Sequence, residues 1–180
     1  MNYITLLILA AEVVLMLLQL RDLMRTSNTP FYHPFTQAVV KLTNPLVNFL
    51  PFSGAHIKSF YCAGFILSVL VSLVFWGVLS LLILKGNAAV ILLFGLLMPV
   101  KAFGYLFIGL LLAQALTSWL PSTRNISIYL GTITAPLAAP VQRIIPPIGV
   151  IDISLMVIMI VLFALNSLMA KLFGAFWLLL

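Results

Sequence analysis

The sequence is poor in charge of either sign, and acidic side chains are its scarcest group. Of its 180 residues only 3 are Asp or Glu, 9 are Lys or Arg and 2 are His. The single cysteine, Cys62, excludes an internal disulfide and a multi-cysteine metal site. No His or Asp stands at a spacing that suggests an activated nucleophile, and no histidine lies in an apolar segment where it could ligate haem. We therefore expect no cofactor, no metal site and no enzymatic activity.

Apolar residues take the place of the missing charge. They make up 64% of the chain, charged residues make up 7%, and the mean hydropathy is +1.26. A soluble domain has about 45–50% apolar and about 25% charged residues, so the composition predicts an integral membrane protein. The net charge of +6 does not indicate nucleic-acid binding, because the basic residues are scattered between apolar segments and form no continuous stripe.

Four segments are long and apolar enough to cross a bilayer, at about 3–22, 60–84, 101–120 and 152–172. A fifth run, 88–98, has only eleven residues and stops at Pro99. One helix over 88–120 would be about 50 Å long, against a hydrocarbon core of about 30 Å. We therefore predict a break from Pro99 to Lys101, with a short interfacial piece before it and a full span after it. Lys101 is then a span end whose side chain reaches the headgroups.

The two halves of the sequence share a layout of span, proline-containing connector and span. Thr43-Asn44-Pro45-Leu46 matches Thr134-Ala135-Pro136-Leu137 at an offset of 91 residues, close to half the chain. We predict an all-α polytopic protein with four main spans in two repeats, residues 1–90 and 91–180. Two crossings per repeat make the repeats parallel, whereas a full crossing at 88–98 would invert them.

Both connectors have the periodicity of amphipathic helices. The apolar residues at helical spacing are Phe35, Val39, Leu42, Leu46 and Phe49 in the first connector and Ile126, Leu130, Ile133, Leu137 and Val141 in the second. Such helices are expected to lie in the headgroup plane with the apolar side toward the lipid. Pro45 and Pro136 fit helix starts, where the missing N–H is not needed. Pro146 ends the second connector.

Basic residues are concentrated around the connectors. Six of them, Arg21, Arg25, Lys41, Lys58, Arg124 and Arg143, lie on that side, against Lys85, Lys171 and at most Lys101 on the other. Because cytoplasmic loops collect Lys and Arg, we expect the connectors in the cytoplasm, both termini outside, and a multi-pass protein of the cytoplasmic (inner) membrane. The basic side chains are expected to contact anionic headgroups. A docking surface for a partner protein is the alternative.

The second connector with its flanks resembles the YggT family. The family pattern is Ser-Trp at the end of a span, T-x-P-L, Pro-x-x-Arg, a Pro, a Gly, and an Asp that opens the next span. The residues at these places are Ser118, Trp119, Thr134, Pro136, Leu137, Pro140, Arg143, Pro146, Gly149, Asp152 and Ser154. The first connector keeps T-x-P-L at Thr43 and Pro45 but lacks counterparts of Arg143 and Asp152.

The resemblance implies a small multi-span membrane protein without catalytic residues. Its relatives are connected variously to osmotic tolerance and ion homeostasis, to envelope or division processes, and to cytochrome assembly in chloroplasts. Because the first connector departs from the pattern, any working site in the connectors is expected to be asymmetric and centred on the second.

Four polar residues inside the spans are candidates for a different kind of site: Glu12, Gln19, Gln114 and Asn166. A charge at mid-bilayer costs at least about 2.5–3.5 kcal/mol, so Glu12 should face the bundle and be neutral or partnered. It either belongs to an ion or proton pathway or makes an interhelical hydrogen bond. Asp152 is expected to cap the last span, to pair with Arg143, or both.

Small residues in the second span, Gly64, Ser68, Ser72 and Ser80, share one i+4 row. Such rows favour close helix packing. Homo-oligomer contacts or a pore wall lined with hydroxyls are the alternatives.

Two functional hypotheses remain. The first is a non-enzymatic assembly, scaffold or envelope and osmotic-homeostasis factor that docks proteins or lipids through its connectors. The second is a small channel or transport component for an ion or osmolyte, which needs the four intramembrane polar residues to converge.

Overall fold

The computed structural model describes residues 3–48, 56–57, 60–83, 88–145 and 152–180. The helices are α1 (Tyr3–Thr26), α2 (Pro34–Val47), α3 (Ala63–Ile83), α4 (Ala88–Trp119), α5 (Arg124–Ile144), α6 (Ile153–Phe173) and α7 (Ala175–Leu179). Two short strands, β1 (His56–Ile57) and β2 (Phe60–Tyr61), pair antiparallel before α3. A 3-10 turn, Pro121–Thr123, leads into α5.

Four helices of the described residues, α1, α3, α4 and α6, are long and apolar enough to cross a membrane. The prediction of an all-α, four-span membrane protein with a proline-containing helix in each connector is therefore confirmed. The division into repeats of residues 1–90 and 91–180 stays a prediction.

The break predicted between Pro99 and Lys101 is wrong. Residues 88–119 form one helix of 32 residues with Pro99 inside it. Proline removes the hydrogen bond to the carbonyl four residues earlier, that of Gly95, and its ring crowds that carbonyl. Packing against neighbouring helices makes both effects tolerable in a membrane span. That packing is close, since a Cβ on Gly95 would lie 2.4 Å from Leu73 Cδ2 of α3. At about 48 Å, α4 is longer than the hydrocarbon core and must tilt or extend beyond it.

The spans pack through three main apolar clusters. One joins α1, α3, α4 and α7, the second joins α1 and α4 to both connector helices, and the third joins α4 and α5 to α6. Their central residues are Leu15, Trp76, Phe94, Met98 and Trp177 in the first, Leu23, Val39, Leu110, Tyr129 and Ile133 in the second, and Phe107, Leu111, Ala138, Leu155 and Ile158 in the third. Because the connector helices share the second cluster, they lie at the same end of the bundle.

The connector helices are strongly amphipathic, but their apolar residues divide between two surroundings. Val39 of α2 and Leu130 and Ile133 of α5 are buried against the spans, whereas Phe35 and Leu42 of α2 are exposed. The expectation of an apolar face turned only toward lipid is therefore corrected. The reason is that the second half of α4 offers α5 an apolar surface, which includes Phe107, Leu110 and Leu111.

The predicted helix starts at Pro45 and Pro136 are also wrong. Pro45 lies inside α2, and Pro136 and Pro140 lie inside α5. The start of α2 is Pro34, after His33, whose Nδ1 accepts a hydrogen bond from the N–H of Phe35. Helix α5 ends at Ile144, and the next residue, Ile145, has left the helical region, as residues that precede a proline favour. Pro146 and Gly149 lie outside the described residues.

Candidate functional site

Helix α1 carries three deeply buried polar side chains on its bundle side: Glu12, Gln19 and Asp22 are 6%, 1% and 4% exposed. Spacings of seven and three residues place them on neighbouring positions of one helix face. Each contacts a different part of α3 or α4, so α1 is joined to the bundle by directed polar contacts as well as by apolar packing.

Glu12 forms an ion pair with Lys101 of α4. The distance between Lys101 Nζ and Glu12 Oε1 is 4.0 Å, and both side chains are buried. Because α4 runs through position 101 without a break, Lys101 is in the interior of the span, and the prediction that it snorkels from a span end is wrong. Two opposite charges at this depth compensate each other. A single charge there would carry a large free-energy cost.

Gln19 joins three helices. Its Nε2 donates to Ser68 Oγ of α3 at 3.2 Å and to the carbonyl oxygen of Pro99 of α4 at 2.8 Å. We call Glu12, Gln19, Ser68 and Lys101 the polar seam. The row of small residues in α3 thus packs against α1 within this protein, and Ser72 continues the row as a buried hydroxyl.

Asp22 of α1 caps the start of α3, which is another helix. Sequence reasoning did not identify this residue. Its Oδ1 accepts from the N–H of Gly64 at 2.9 Å and its Oδ2 from the N–H of Phe65 at 2.8 Å. Helix N-termini attract carboxylates because their first N–H groups lack partners. The approach is so close that a Cβ on Gly64 would lie 2.3 Å from the carbonyl oxygen of Leu18. The sequence signal that could have pointed to Asp22 is that acidic residues are scarce in this chain.

Asp152 caps α6 as predicted, but its partner across the connector is Gln142 and not Arg143. Its Oδ1 accepts from the N–H of Ser154 at 3.0 Å, and its Oδ2 accepts from Gln142 Nε2 at 3.0 Å. The Ser154 hydroxyl bonds the same carboxylate. Arg143 is exposed one residue further along α5. The first connector has no acidic residue at the place of Asp152, and α3 is capped instead by Asp22 of α1.

The motif threonines hold the connector helices to the preceding spans. Thr43 and Thr134 are almost fully buried, and each hydroxyl bonds the carbonyl four residues earlier in its own helix. Thr43 Oγ1 also accepts from Arg21 Nη1 at 2.9 Å, and Thr134 Oγ1 donates to Gln114 Oε1 at 2.8 Å. A threonine two residues before the proline therefore ties each connector to the end of α1 or α4.

The two connectors meet at Tyr129 of α5, which sequence reasoning did not identify. The ring of His33 stacks on the Tyr129 ring with centroids 3.8 Å apart, and Phe35 meets it edge-on at 6.2 Å. The hydroxyls of Thr36 and Tyr129 are 2.7 Å apart and hydrogen-bonded. We call His33, Phe35, Thr36 and Tyr129 the connector junction. No spacing in the sequence signals it, since Tyr129 lies 93 residues after Thr36.

The four intramembrane polar candidates do not converge on one point. Glu12 and Gln19 belong to the polar seam, whereas Gln114 bonds Thr134 of α5 and Asn166 Oδ1 accepts from Trp177 Nε1 of α7 at 2.9 Å. Within the described ranges, no group of three or more His, Cys, Asp or Glu side chains could hold a metal ion.

Comparison with known proteins agrees with the resemblance. The family model described as CCB3/YggT matches residues 92–173, most of α4 together with α5 and α6. "Uncharacterized protein YggT" of Escherichia coli (strain K12) is 32% identical over 181 residues, covering 97% of this chain and 93% of the relative. "Uncharacterized protein in proC 3'region" of Vibrio alginolyticus is 32% identical over 170 residues, covering 92% of each chain. An "Uncharacterized protein" of Haemophilus influenzae is 28% identical over 167 residues.

No solved structure matches the chain. The relatives, by contrast, match it over almost its full length, and one of them at 32% identity and 97% coverage carries the family's own name. The protein is a member of the YggT family.

Proposed function

We propose that this protein is a non-enzymatic scaffold or assembly factor of the cytoplasmic (inner) membrane, and that it acts through the surface of its two connectors on the cytoplasmic side. The observation that carries the proposal is the connector junction. Two helices that lie far apart in the sequence are joined there by a stacked ring pair and a buried hydroxyl pair. A single preformed surface reduces the entropy lost when a partner binds.

The connector surface has the composition of a contact region. Tyr32 and Trp119 are 89% and 71% exposed, and aromatic residues are enriched where proteins bind one another or meet the membrane interface. Lys41, Arg124 and Arg143 are exposed on the connector helices and suit anionic headgroups. The partners we propose are a membrane protein or a second copy of this chain, on a bilayer with anionic lipid.

A structural use for the acidic residues supports a role without catalysis. The chain has only 3 Asp and Glu residues. Glu12 faces Lys101, Asp22 caps α3, and Asp152 caps α6. Each carboxylate is therefore engaged in holding helices together, which leaves little for acid–base chemistry.

Site-specific photo-crosslinking tests the scaffold proposal. A photoreactive amino acid is placed at Tyr32 or Arg143 on the connector side, and at Lys171 or Leu178 at the opposite end of the bundle as matched exposed controls. We expect discrete adducts of one size in native membranes from the connector positions and none from the controls. Adducts that are absent from the connectors, or equally frequent at both ends, would refute the proposal.

Cysteine accessibility tests the proposed orientation. In a Cys62→Ala background, a single cysteine at Ser122 lies beside the connectors, and one at Lys171 lies at the other end. We expect an impermeant maleimide applied to intact cells to label position 171 and to leave position 122 unlabelled until the membrane is opened. The reverse pattern would place the connectors outside.

The second candidate function is ion or osmolyte transport, and the buried Glu12–Lys101 pair favours it. Ionisable residues inside spans often mark ion or proton paths, and Glu12 Oε1 has no hydrogen-bond partner among the described residues. Proteoliposome flux of protons and K⁺ tests this function. Flux that exceeds empty vesicles and disappears in Glu12→Gln would support it, and flux at the level of empty vesicles would reject it.

A further inference from the structure

A cavity of about 390 Å³ opens where α1 meets the first connector. Arg21 and Arg25 of α1, Asn28 of the turn after it, Val40 of α2 and Tyr61 of β2 are among the residues that line it. We call it the arginine cavity. It is separate from the polar seam, which lies deeper in the bundle, and from the connector junction apart from Thr36, which borders both.

Two guanidinium groups make this cavity cationic. Arginine stays protonated in proteins and presents five N–H donors in a fixed fork. The Arg25 guanidinium carbon lies 5.0 Å from the centre of the Tyr61 ring, which holds its side chain against the wall of the cavity. The arrangement places two positive charges about one turn apart on α1.

Arg21 is only partly satisfied by the protein. Its Nη1 donates to Thr43 Oγ1 at 2.9 Å, but its Nε is buried and has no hydrogen-bond partner in the described parts of the chain. A buried donor of a charged group without an acceptor is destabilising. Among the described residues, Arg21 therefore lacks an acceptor for one of its N–H groups.

The chain has no carboxylate left to serve as that acceptor. Of its three, Glu12 faces Lys101 and Asp152 is bound by Gln142 and the start of α6. Asp22 follows Arg21 in the sequence, yet its two oxygens are bonded to N–H groups at the start of α3. Two arginines beside one committed aspartate leave a surplus positive charge at the cavity.

We propose that the arginine cavity binds one phosphate group, carried by the headgroup of an anionic phospholipid. The guanidinium fork matches phosphate oxygens with paired N–H···O bonds. Exposed Phe31 and Tyr32 flank this end of α2, and aromatic side chains prefer the level of the headgroups. The volume exceeds what one phosphate needs and lies in the range of small-ligand pockets, so it accommodates the rest of a headgroup. This inference goes beyond the scaffold role and requires no protein partner.

Lipid titration with native mass spectrometry tests the proposal on the full-length protein in an uncharged detergent. The probes are phosphatidylglycerol, phosphatidylcholine as the zwitterionic comparison, and inorganic phosphate as the soluble source. We expect one phosphatidylglycerol to bind at least about tenfold more tightly to the wild type than to Arg21→Gln, the loss that one charge-assisted contact accounts for. Arg143→Gln, an exposed arginine at the same end, is the matched control and should bind like the wild type.

Two further variants separate loss of the site from loss of the fold. Val40→Phe fills the cavity from α2 and keeps both arginines, so it should also weaken binding. Thr43→Val removes the internal partner of Arg21 and leaves the cavity cationic, so it should retain binding. Circular dichroism establishes that each variant keeps its helices.

The outcomes distinguish the source of the phosphate. Saturable binding of inorganic phosphate that depends on Arg21, without preference for phosphatidylglycerol, would assign the cavity to a soluble phosphate. The proposal is overturned if neither probe binds saturably, or if Arg143→Gln weakens binding as much as Arg21→Gln. The connector crosslinks do not involve Arg21, so the two proposals fail separately.

Discussion

Helices α1 and α6 both span the bundle beside α4, and they are held there by different means. In the most apolar stretch of α1, 28% of the residues are buried, and in that of α6, 17% of the residues are buried. Helix α1 contributes Glu12, Gln19, Arg21 and Asp22 to polar contacts with three other helices. Among the described residues, α6 contributes Asn166, and Asp152 caps its start. Lipid tails are as apolar as leucine, so apolar burial alone does not position a span, and directed polar bonds add to close packing in specifying its place.

Removing one charge of the Glu12–Lys101 pair should have the largest effect on this comparison. Lys101→Met leaves a lone carboxylate between α1 and α4, and we expect a loss of about 3–5 kcal/mol in the free energy of unfolding. Glu12→Gln leaves a lone ammonium and should behave alike. Unfolding in mixed micelles of SDS and uncharged detergent, followed by circular dichroism, measures the change.

The double variant Glu12→Gln/Lys101→Met is the control for that prediction. It removes both charges together, so most of the stability should return. If the double variant is as unstable as the sum of the single variants, the two residues are not coupled, and the ion pair does not hold α1 to α4.

Asp22→Ala should be the next largest change, and Asp152→Ala its matched counterpart. Asp22 accepts two backbone N–H bonds in a buried position, so its loss should cost about 2–3 kcal/mol, whereas loss of the partly exposed cap at Asp152 should cost about 1 kcal/mol. Cys62, the single cysteine, lies at the start of α3 and reports on it directly. Its maleimide labelling should accelerate in Asp22→Ala and stay unchanged in Asp152→Ala. Equal labelling rates in both variants would contradict the cross-helix cap.

The sequence predicted the elements that depend on composition and short-range pattern. Long apolar runs marked the four spans, amphipathic periodicity marked both connector helices, and Asp152 before an apolar run marked a helix cap. These signals are local, because burial in lipid and capping act on neighbouring residues. The burial of Glu12 followed equally directly from the free-energy cost of an exposed charge in hydrocarbon.

The features that the sequence did not show all depend on contacts between distant elements. The length of segment 88–120 and Pro99 together indicate a break near Lys101, whereas the structure keeps one helix there and packs Gly95 closely on α3. Asp22 caps a helix that begins some forty residues later, and Tyr129 meets a connector about 93 residues away. No periodicity records such a pairing, so a single sequence could supply the polar residues but not their partners.

Gly64→Ala sharpens the comparison at a close approach of α1 to α3. The added methyl would meet the Leu18 carbonyl at 2.3 Å and the Asp22 carboxylate at 2.9 Å, so we expect a loss of about 1–3 kcal/mol. Gly77→Ala, in the same helix, meets nothing within 4 Å and should be neutral or stabilising by up to about 1 kcal/mol. The same SDS titration compares the two. Similar losses in both variants would mean that helix propensity, and not the contact with α1, decides the effect.

Asn166→Leu should cause the smallest loss in the free energy of unfolding among these variants, because α6 makes fewer polar contacts than α1. The variant removes the acceptor for Trp177 Nε1, a bond between α6 and the short helix α7 that lies outside the polar seam. Polar contacts between membrane helices contribute about 0.6 kcal/mol on average, and Trp177 keeps its apolar packing against Phe173. Trp177→Phe removes the donor, and the double variant isolates the bond energy between them. A coupling as large as that of Glu12 with Lys101 would show that α6, like α1, is positioned by directed bonds, and the contrast between the two spans would no longer hold.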